Sequence, residues 1–125
     1  MKLRRLAGLL ALSGLLSACS DEGPVSGPGT LTATLTGPNG AEGAAVIALL
    51  GDGIGQITAV GGTEVFSRIG NGAAQVVLIN EPGGELSFRV AVADTTQPPA
   101  VVVEQVAGPD DALRALGAYS VEFSR

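Results

Sequence analysis

The segment Thr30–Thr36 has the sequence "TLTATLT". Leu31, Ala33 and Leu35 alternate with threonines, so one side of an extended chain is apolar and the other side is polar. Alternation with period two is typical of a β-strand that buries one face. Residues 37–40, "GPNG", combine glycine, proline and asparagine, which favour a turn because they supply the backbone angles that turns require.

The same alternation of apolar segments and glycine-rich turns continues to residue 125. Strand-like segments read "AAVIALL", "QITAV", "TEVFSRI", "AAQVVLIN", "ELSFRVAVA", "AVVVEQV" and "AYSVEF". The first of these is apolar on both faces, which suits a central strand, and "ELSFRVAVA" places Leu86, Phe88, Val90 and Val92 on one face. About eight short strands at this spacing predict an all-β fold, a single antiparallel β-sandwich of immunoglobulin-like or jelly-roll (cohesin-like) type.

The turns and one helix can be predicted from local signals. We expect "GDGIG" at 51–55 and the glycine pair at 61–62 to form hairpin turns, and "EPGG" at 81–84 to form another turn. A short helix is expected near Asp110 to Leu116, because Asp110 could cap its start, Leu113 and Leu116 are three residues apart, and a glycine follows.

The first 18 residues have the layout of a secretory signal. Lys2, Arg4 and Arg5 precede an apolar run from Leu6 to Leu16, and small residues follow. Because a membrane-spanning helix needs about 20 apolar residues, this run is too short to serve as a transmembrane anchor.

The sequence "LSAC" at Leu16 to Cys19 resembles the lipobox of bacterial lipoprotein precursors. The resemblance implies that Cys19 receives a diacylglyceryl thioether, that the leader is cut before it, and that the chain is anchored by lipid in the cell envelope. In this family an aspartate directly after the cysteine often retains the protein at the inner membrane. Ser20 occupies that position here, which favours the outer membrane in a two-membrane bacterium.

These features divide the chain into three parts: a signal peptide at 1–18, a lipidated cysteine with a flexible tether at 19–29, and a sandwich domain at 30–125. The tether, "SDEGPVSGPG" after Cys19, is polar and rich in glycine and proline, so it cannot bury enough apolar surface to order itself.

Charge excludes nucleic acid as a partner. Three of the seven basic residues lie in the leader, which leaves four basic against 12 acidic residues and a net charge of −8 after cleavage. Binding to nucleic acid depends on neutralising phosphates with a basic surface, and this chain has none.

The residue types of the chain also argue against an enzyme. There is no histidine, and no lysine follows the leader, so the common nucleophile and metal-ligand sets are missing and we expect no cofactor. The segment "VAVADTTQ" resembles the aspartic-protease pattern, with Asp94 in the position of the acid. Thr96 replaces the expected glycine and no second Asp-Thr pair exists, so a strand that ends in a polar turn explains the segment better.

Two kinds of binding site stay open. Asp52, Asp94, Asp110 and Asp111 lie in predicted loops and could offer the oxygen ligands that calcium prefers. A glycan site usually needs exposed aromatic side chains, but all four aromatic residues are expected at core positions of strands, namely Phe66, Phe88, Tyr119 and Phe123.

Two functional hypotheses follow. The first is a lipid-anchored envelope protein that acts as a non-catalytic interaction or structural module, with another envelope protein as its partner. The alternative is a lipoprotein that binds a small ligand, a glycan or calcium. An exposed apolar patch or an unpaired edge strand would favour the first hypothesis, and a concave pocket with convergent polar groups would favour the second.

Overall fold

The described part of the protein, residues 26–125 of a computed structural model, consists of eight β-strands. The predicted signal peptide, the lipobox with Cys19 and most of the predicted tether lie outside the described residues. The strands are β1 (Gly29–Thr36), β2 (Glu42–Leu50), β3 (Ile57–Ala59), β4 (Glu64–Gly70), β5 (Ala73–Gly84), β6 (Ser87–Val92), β7 (Ala100–Ala107) and β8 (Ser120–Ser124). The predictions of an all-β fold and of about eight strands are therefore confirmed.

The strands form two antiparallel sheets of four. Sheet 1 has the order β3-β6-β1-β8 and sheet 2 has the order β4-β5-β2-β7. Four of the strand pairs are nested one inside the next along the chain: β1 with β8, β2 with β7, β3 with β6, and β4 with β5. Two further pairs complete the sheets, β1 with β6 in sheet 1 and β2 with β5 in sheet 2.

One hydrophobic core holds the two sheets together in a sandwich-like arrangement. Leu31 and Ala33 of β1 are buried, as the alternation in "TLTATLT" predicts, and all four apolar residues predicted to share a face in "ELSFRVAVA" are buried too. Sheet 2 contributes the alternate residues of its two central strands, Ala45, Ile47 and Leu49 from β2 and Ala74, Val76 and Leu78 from β5. This position of β2 confirms that "AAVIALL" is a central strand.

The predicted helix near Asp110 to Leu116 is wrong, since no helix occurs among residues 26–125. Asp110 accepts a hydrogen bond from the N–H of Ala112 (3.2 Å), which closes a local turn, and Asp111 adopts a left-handed φ of 67°. Leu113 then forms an isolated bridge with Ala107 at the end of β7. A helix of one or two turns has few hydrogen bonds to offset the cost of its nucleus, so pairing with a strand wins.

Three predicted turns also differ from the structure. The segment 51–55 connects β2 in sheet 2 with β3 in sheet 1, and the glycine pair at 61–62 connects β3 back to β4 in sheet 2. Both are crossings between sheets and not hairpin turns. The "EPGG" segment at 81–84 belongs to β5, which runs on to Gly84. Glycine and proline mark changes of backbone direction, but they do not show which sheet the next strand joins.

Candidate functional site

The outer face of sheet 1 is polar. Its central row of paired residues crosses all four strands, with Thr58, Arg89, Thr32 and Ser124 side by side. The neighbouring row contains Thr34 beside Glu122, and the Thr34 hydroxyl lies 3.1 Å from the Ser87 hydroxyl. Hydroxyl and charged groups exchange hydrogen bonds with water, so this face is compatible with exposure to solvent.

The outer face of sheet 2 is apolar, and we call it the apolar face. It consists of four rows of paired residues, which read across β4, β5, β2 and β7 as Glu64-Ile79-Ala44-Ala107, Phe66-Val77-Val46-Gln105, Arg68-Gln75-Ala48-Val102 and Gly70-Ala73-Leu50-Ala100. Antiparallel sheets commonly solvate their outer face with polar residues. This sheet departs from that pattern, because alternate residues are apolar on both of its faces.

Large apolar side chains on this face are open to solvent. Phe66 is 58% exposed, Val102 is 47% exposed and Leu50 is 43% exposed. Four strands about 4.8 Å apart and four rows about 6.7 Å apart make a surface of roughly 14 by 20 Å between Cα positions. Exposed apolar side chains that gather on one face of a sheet are a feature that protein interaction sites share.

The exposure of Phe66 corrects one prediction. Of the four aromatic residues, Phe88 and Tyr119 are buried and Phe123 packs against the core, but Phe66 lies on the solvent side of β4. Its cross-strand partner is Val77 in the second row of the apolar face.

Charges lie only at the margin of the apolar face. Among its four rows, only Glu64 and Arg68 are charged, and both belong to the edge strand β4. Gln75, on the central strand β5, reaches across β2 and donates a hydrogen bond (3.0 Å) to Glu104, the residue of β7 that has no partner on β2. The face therefore offers a partner apolar contact on either side of this polar bridge, and its charged groups lie on the two edge strands.

The four candidate calcium ligands lie at opposite ends of β2. Asp52 and Asp94 line one cavity of about 340 Å³ beside Leu50. Asp111 lines another, of about 390 Å³, beside Gly43, and Asp110 precedes it. Within residues 26–125, no group of three or more potential metal ligands comes together.

Asp94 has a local structural role. Its Oδ1 accepts hydrogen bonds from the Thr96 hydroxyl (2.7 Å), the Thr96 N–H (2.9 Å) and the Gly27 N–H (3.3 Å). These bonds, above all the one from the Thr96 side chain, lower the pKa of Asp94 below its ordinary value. The carboxylate thus ties the chain just before β1 to the loop that follows β6.

A buried polar cluster is the feature that sequence reasoning missed. Glu42, only 2% exposed, accepts a hydrogen bond from the Arg114 Nε (3.0 Å) and another from the Tyr119 hydroxyl. Asn39 donates to the same hydroxyl (2.8 Å). Burial and the bond to Glu42 raise the pKa of Tyr119, and the bond to Glu42 raises the pKa of Arg114.

This cluster fastens the segment between β7 and β8 to the start of β2. The backbone packs closely there, since a side-chain carbon added at Gly43 would lie 2.8 Å from the carbonyl oxygen of Gly108. Both carboxylate oxygens of the buried Glu42 accept a hydrogen bond, so the arrangement stabilises the fold.

No family model, curated protein or solved structure matches this chain. Residues 26–125 contain no helix long and apolar enough to cross a membrane.

Proposed function

We propose that this protein is a lipid-anchored envelope protein, attached through Cys19, and that it acts as a non-catalytic interaction module. Its apolar face binds another envelope protein. The observation that carries the proposal is the contrast between the two outer faces, since sheet 1 is covered with threonine, serine, arginine and glutamate while sheet 2 exposes Phe66, Leu50 and Val102.

The size of the apolar face indicates how a partner would bind. An ordinary stable interface buries about 800 Å² on each partner, which exceeds the roughly 300 Å² spanned by the four rows. The apolar face therefore forms the centre of the interface, and the partner also contacts its polar rim around Glu64, Arg68 and Glu104. This division into an apolar centre and a polar rim is usual for protein interfaces.

The anchor sets the orientation of the domain. Gly27 is hydrogen bonded to the 94–95 loop, so the chain enters the domain at the end that carries Asp52 and Asp94. A flexible tether of ten residues reaches about 15 to 20 Å, which keeps this end near the bilayer. The strands of sheet 2 then run away from the membrane, and the apolar face is presented sideways to a neighbouring protein.

The nested pairing of strands supports a jelly-roll type of sandwich over an immunoglobulin-like type. In a jelly roll, an antiparallel ribbon of two long arms is rolled up, so the first strand pairs with the last and each inner strand pairs with its counterpart. The pairs β1–β8, β2–β7, β3–β6 and β4–β5 follow this rule and therefore favour the jelly-roll alternative. The fold type by itself does not determine what the protein binds.

A photocrosslinking experiment in intact envelopes tests the proposed function. A photoreactive amino acid at Val102 should give a discrete protein adduct of higher mass, whereas the same amino acid at Thr32 on the polar face is the matched control and should give none. Adducts of equal yield from both positions, or an adduct with lipid alone from Val102, would contradict a protein partner on the apolar face.

A ligand site between Asp52 and Asp94 is the second candidate function. The two carboxylates line the same cavity of about 340 Å³, and carboxylate oxygens are ligands that suit calcium. Titration with calcium should then raise the melting temperature of the wild-type chain and should have no effect on the Asp52→Asn variant. Equal responses of the two chains would exclude this site.

A further inference from the structure

We propose that two copies of this chain associate through β4, whose free edge pairs antiparallel with the β4 of the second copy about a two-fold axis at Phe66. The pairing joins the two copies of sheet 2 into one continuous sheet. This inference depends neither on the lipid at Cys19 nor on the protein that binds the apolar face.

The first observation is that β4 is an unprotected edge strand. Six of its seven residues are exposed, and its register with β5 runs without interruption from Glu64 to Gly70. An exposed edge of this length pairs readily with another strand unless a bulge, a proline, a cover or repulsion between charged side chains prevents it.

The other three edges of the described sheets are protected in different ways. β3 has only three residues and β8 has five. β7 carries a bulge at Glu104, and the N–H of Arg114 donates to the carbonyl of Val106 (2.8 Å), so a later segment of the chain covers its end. β4 alone combines length, a regular register and exposure.

The second observation is the direction of the backbone groups. The N–H of Gly51 donates to the carbonyl of Gly72 (3.0 Å), so Gly72 directs its carbonyl toward β2. Successive residues of an antiparallel strand direct their main-chain groups to opposite sides. Ala73 therefore bonds to β4, and by the same alternation Val65 and Ser67 direct their N–H and C=O groups to the free edge.

The third observation is that the charges of β4 are complementary to those of a second β4 in the antiparallel orientation. Antiparallel pairing centred on Phe66 places Glu64 opposite Arg68 of the second copy and Arg68 opposite its Glu64. Val65 then pairs with Ser67 of the second copy, and these are the residues whose main-chain groups face the edge, so about four main-chain hydrogen bonds form. Opposite charges that face each other across two strands stabilise the pairing, whereas like charges oppose it.

The same register places the two Phe66 side chains next to each other. They would pack across the two-fold axis, as aromatic cross-strand pairs do. Because Phe66 belongs to the apolar face, the apolar faces of the two copies become one surface of about twice the width. A partner of the dimer would then contact both copies.

A disulfide experiment in isolated envelopes tests the register. Residues in a non-hydrogen-bonded antiparallel pair have Cα atoms about 4.5 Å apart, which a disulfide can bridge. We expect the full-length Phe66→Cys chain to form a covalent dimer on mild oxidation. The wild-type chain, which retains only Cys19, and the Thr32→Cys chain are the matched controls and should stay monomeric.

Charge-reversal variants test the proposed pairing of Glu64 with Arg68 between the two copies. Adding Arg68→Glu or Glu64→Arg to the Phe66→Cys chain should each lower the yield of dimer about tenfold or more, because two opposite-charge pairs become two like-charge pairs. Co-expression of these two chains with different tags should restore a mixed dimer, since every pair is then opposite in charge.

Absence of the Phe66→Cys dimer, an equal yield from Thr32→Cys, or charge variants that dimerise like the parent chain would overturn the inference. Dimers of the wild-type chain through Cys19 would overturn the lipid anchor and leave the pairing of β4 to be decided by the charge variants.

Discussion

Replacing Phe88 with alanine should destabilise the domain more than replacing any exposed aromatic residue. The Phe88 side chain is fully buried at the centre of sheet 1. Its neighbours on the adjacent strands are Ala33 and Ala59, whose side chains are too small to fill the space that the ring would leave. We therefore expect a loss of about 3 to 5 kcal/mol in the free energy of unfolding.

The matched control is Phe66→Ala, which removes the same atoms from a side chain that is 58% exposed. This change should alter the free energy of unfolding by less than about 0.5 kcal/mol when the protein is dilute enough to be monomeric. The two variants differ only in burial, so their difference isolates the contribution of the core.

Urea unfolding and thermal melting measure the effect. For a domain of this size a loss of 1 kcal/mol lowers the melting temperature by about 4 to 8 °C, so Phe88→Ala should lower it by on the order of 20 °C. If Phe88→Ala does not fold, Phe88→Leu leaves a smaller cavity and should cost about 1 to 2 kcal/mol. Similar small effects at positions 66 and 88 would refute the assignment of inner and outer faces.

Three further predictions concern the remaining parts of the domain. Tyr119→Phe removes the hydroxyl that bonds to Glu42 and should lower the free energy of unfolding by about 1.5 to 3 kcal/mol in urea titrations at neutral pH. Because the pKa of Tyr119 is raised in the folded state, the wild type should also lose stability as the pH rises above the ordinary tyrosine value of 10.0. The variant should lose less stability over the same pH range. The pKa of Asp94 is lowered in the folded state, so the ionised carboxylate stabilises the fold at pH values above its ordinary pKa of 3.8. This stabilisation is lost as the pH falls through the lower pKa of the folded state. Asp94→Asn should therefore weaken the loss of stability in acid, as measured by melting curves at a series of pH values. Gly43→Ala should lower the melting temperature, because the added carbon would lie 2.8 Å from the carbonyl oxygen of Gly108, where the backbone has little room to move.

Strand positions could be predicted from this sequence because alternation reports directly on burial. Leu31 and Ala33, and the four apolar residues of "ELSFRVAVA", lie on the buried faces that their spacing indicates. Connections between strands could not be predicted in the same way. A glycine pair at 61–62 is compatible with a hairpin turn or with a crossing to the other sheet, and only the core formed by distant segments decides between them.

The apolar face and the buried polar cluster depend on contacts between distant residues. The sequence "AAVIALL" is apolar on both faces, and a strand with a covered outer face would look the same, so the exposure of the apolar face could not be predicted from it. Phe66 belongs to a strand segment with two alternating sets of side chains, and the local sequence does not show which set faces the core. Glu42 and Tyr119 are 77 residues apart, and no local pattern connects them.

The most direct test of the proposed function measures whether the apolar face is accessible to a reagent in the native envelope. This test does not require the partner to be identified. Val102→Cys and Thr32→Cys chains are treated with a hydrophilic maleimide, first in intact envelopes and then after extraction in mild detergent, with the wild-type chain as the control for Cys19. If the apolar face is covered by a partner, Thr32→Cys reacts in both conditions, and Val102→Cys reacts only after extraction. Equal reactivity of the two positions in intact envelopes would contradict a covered apolar face and with it the proposed function.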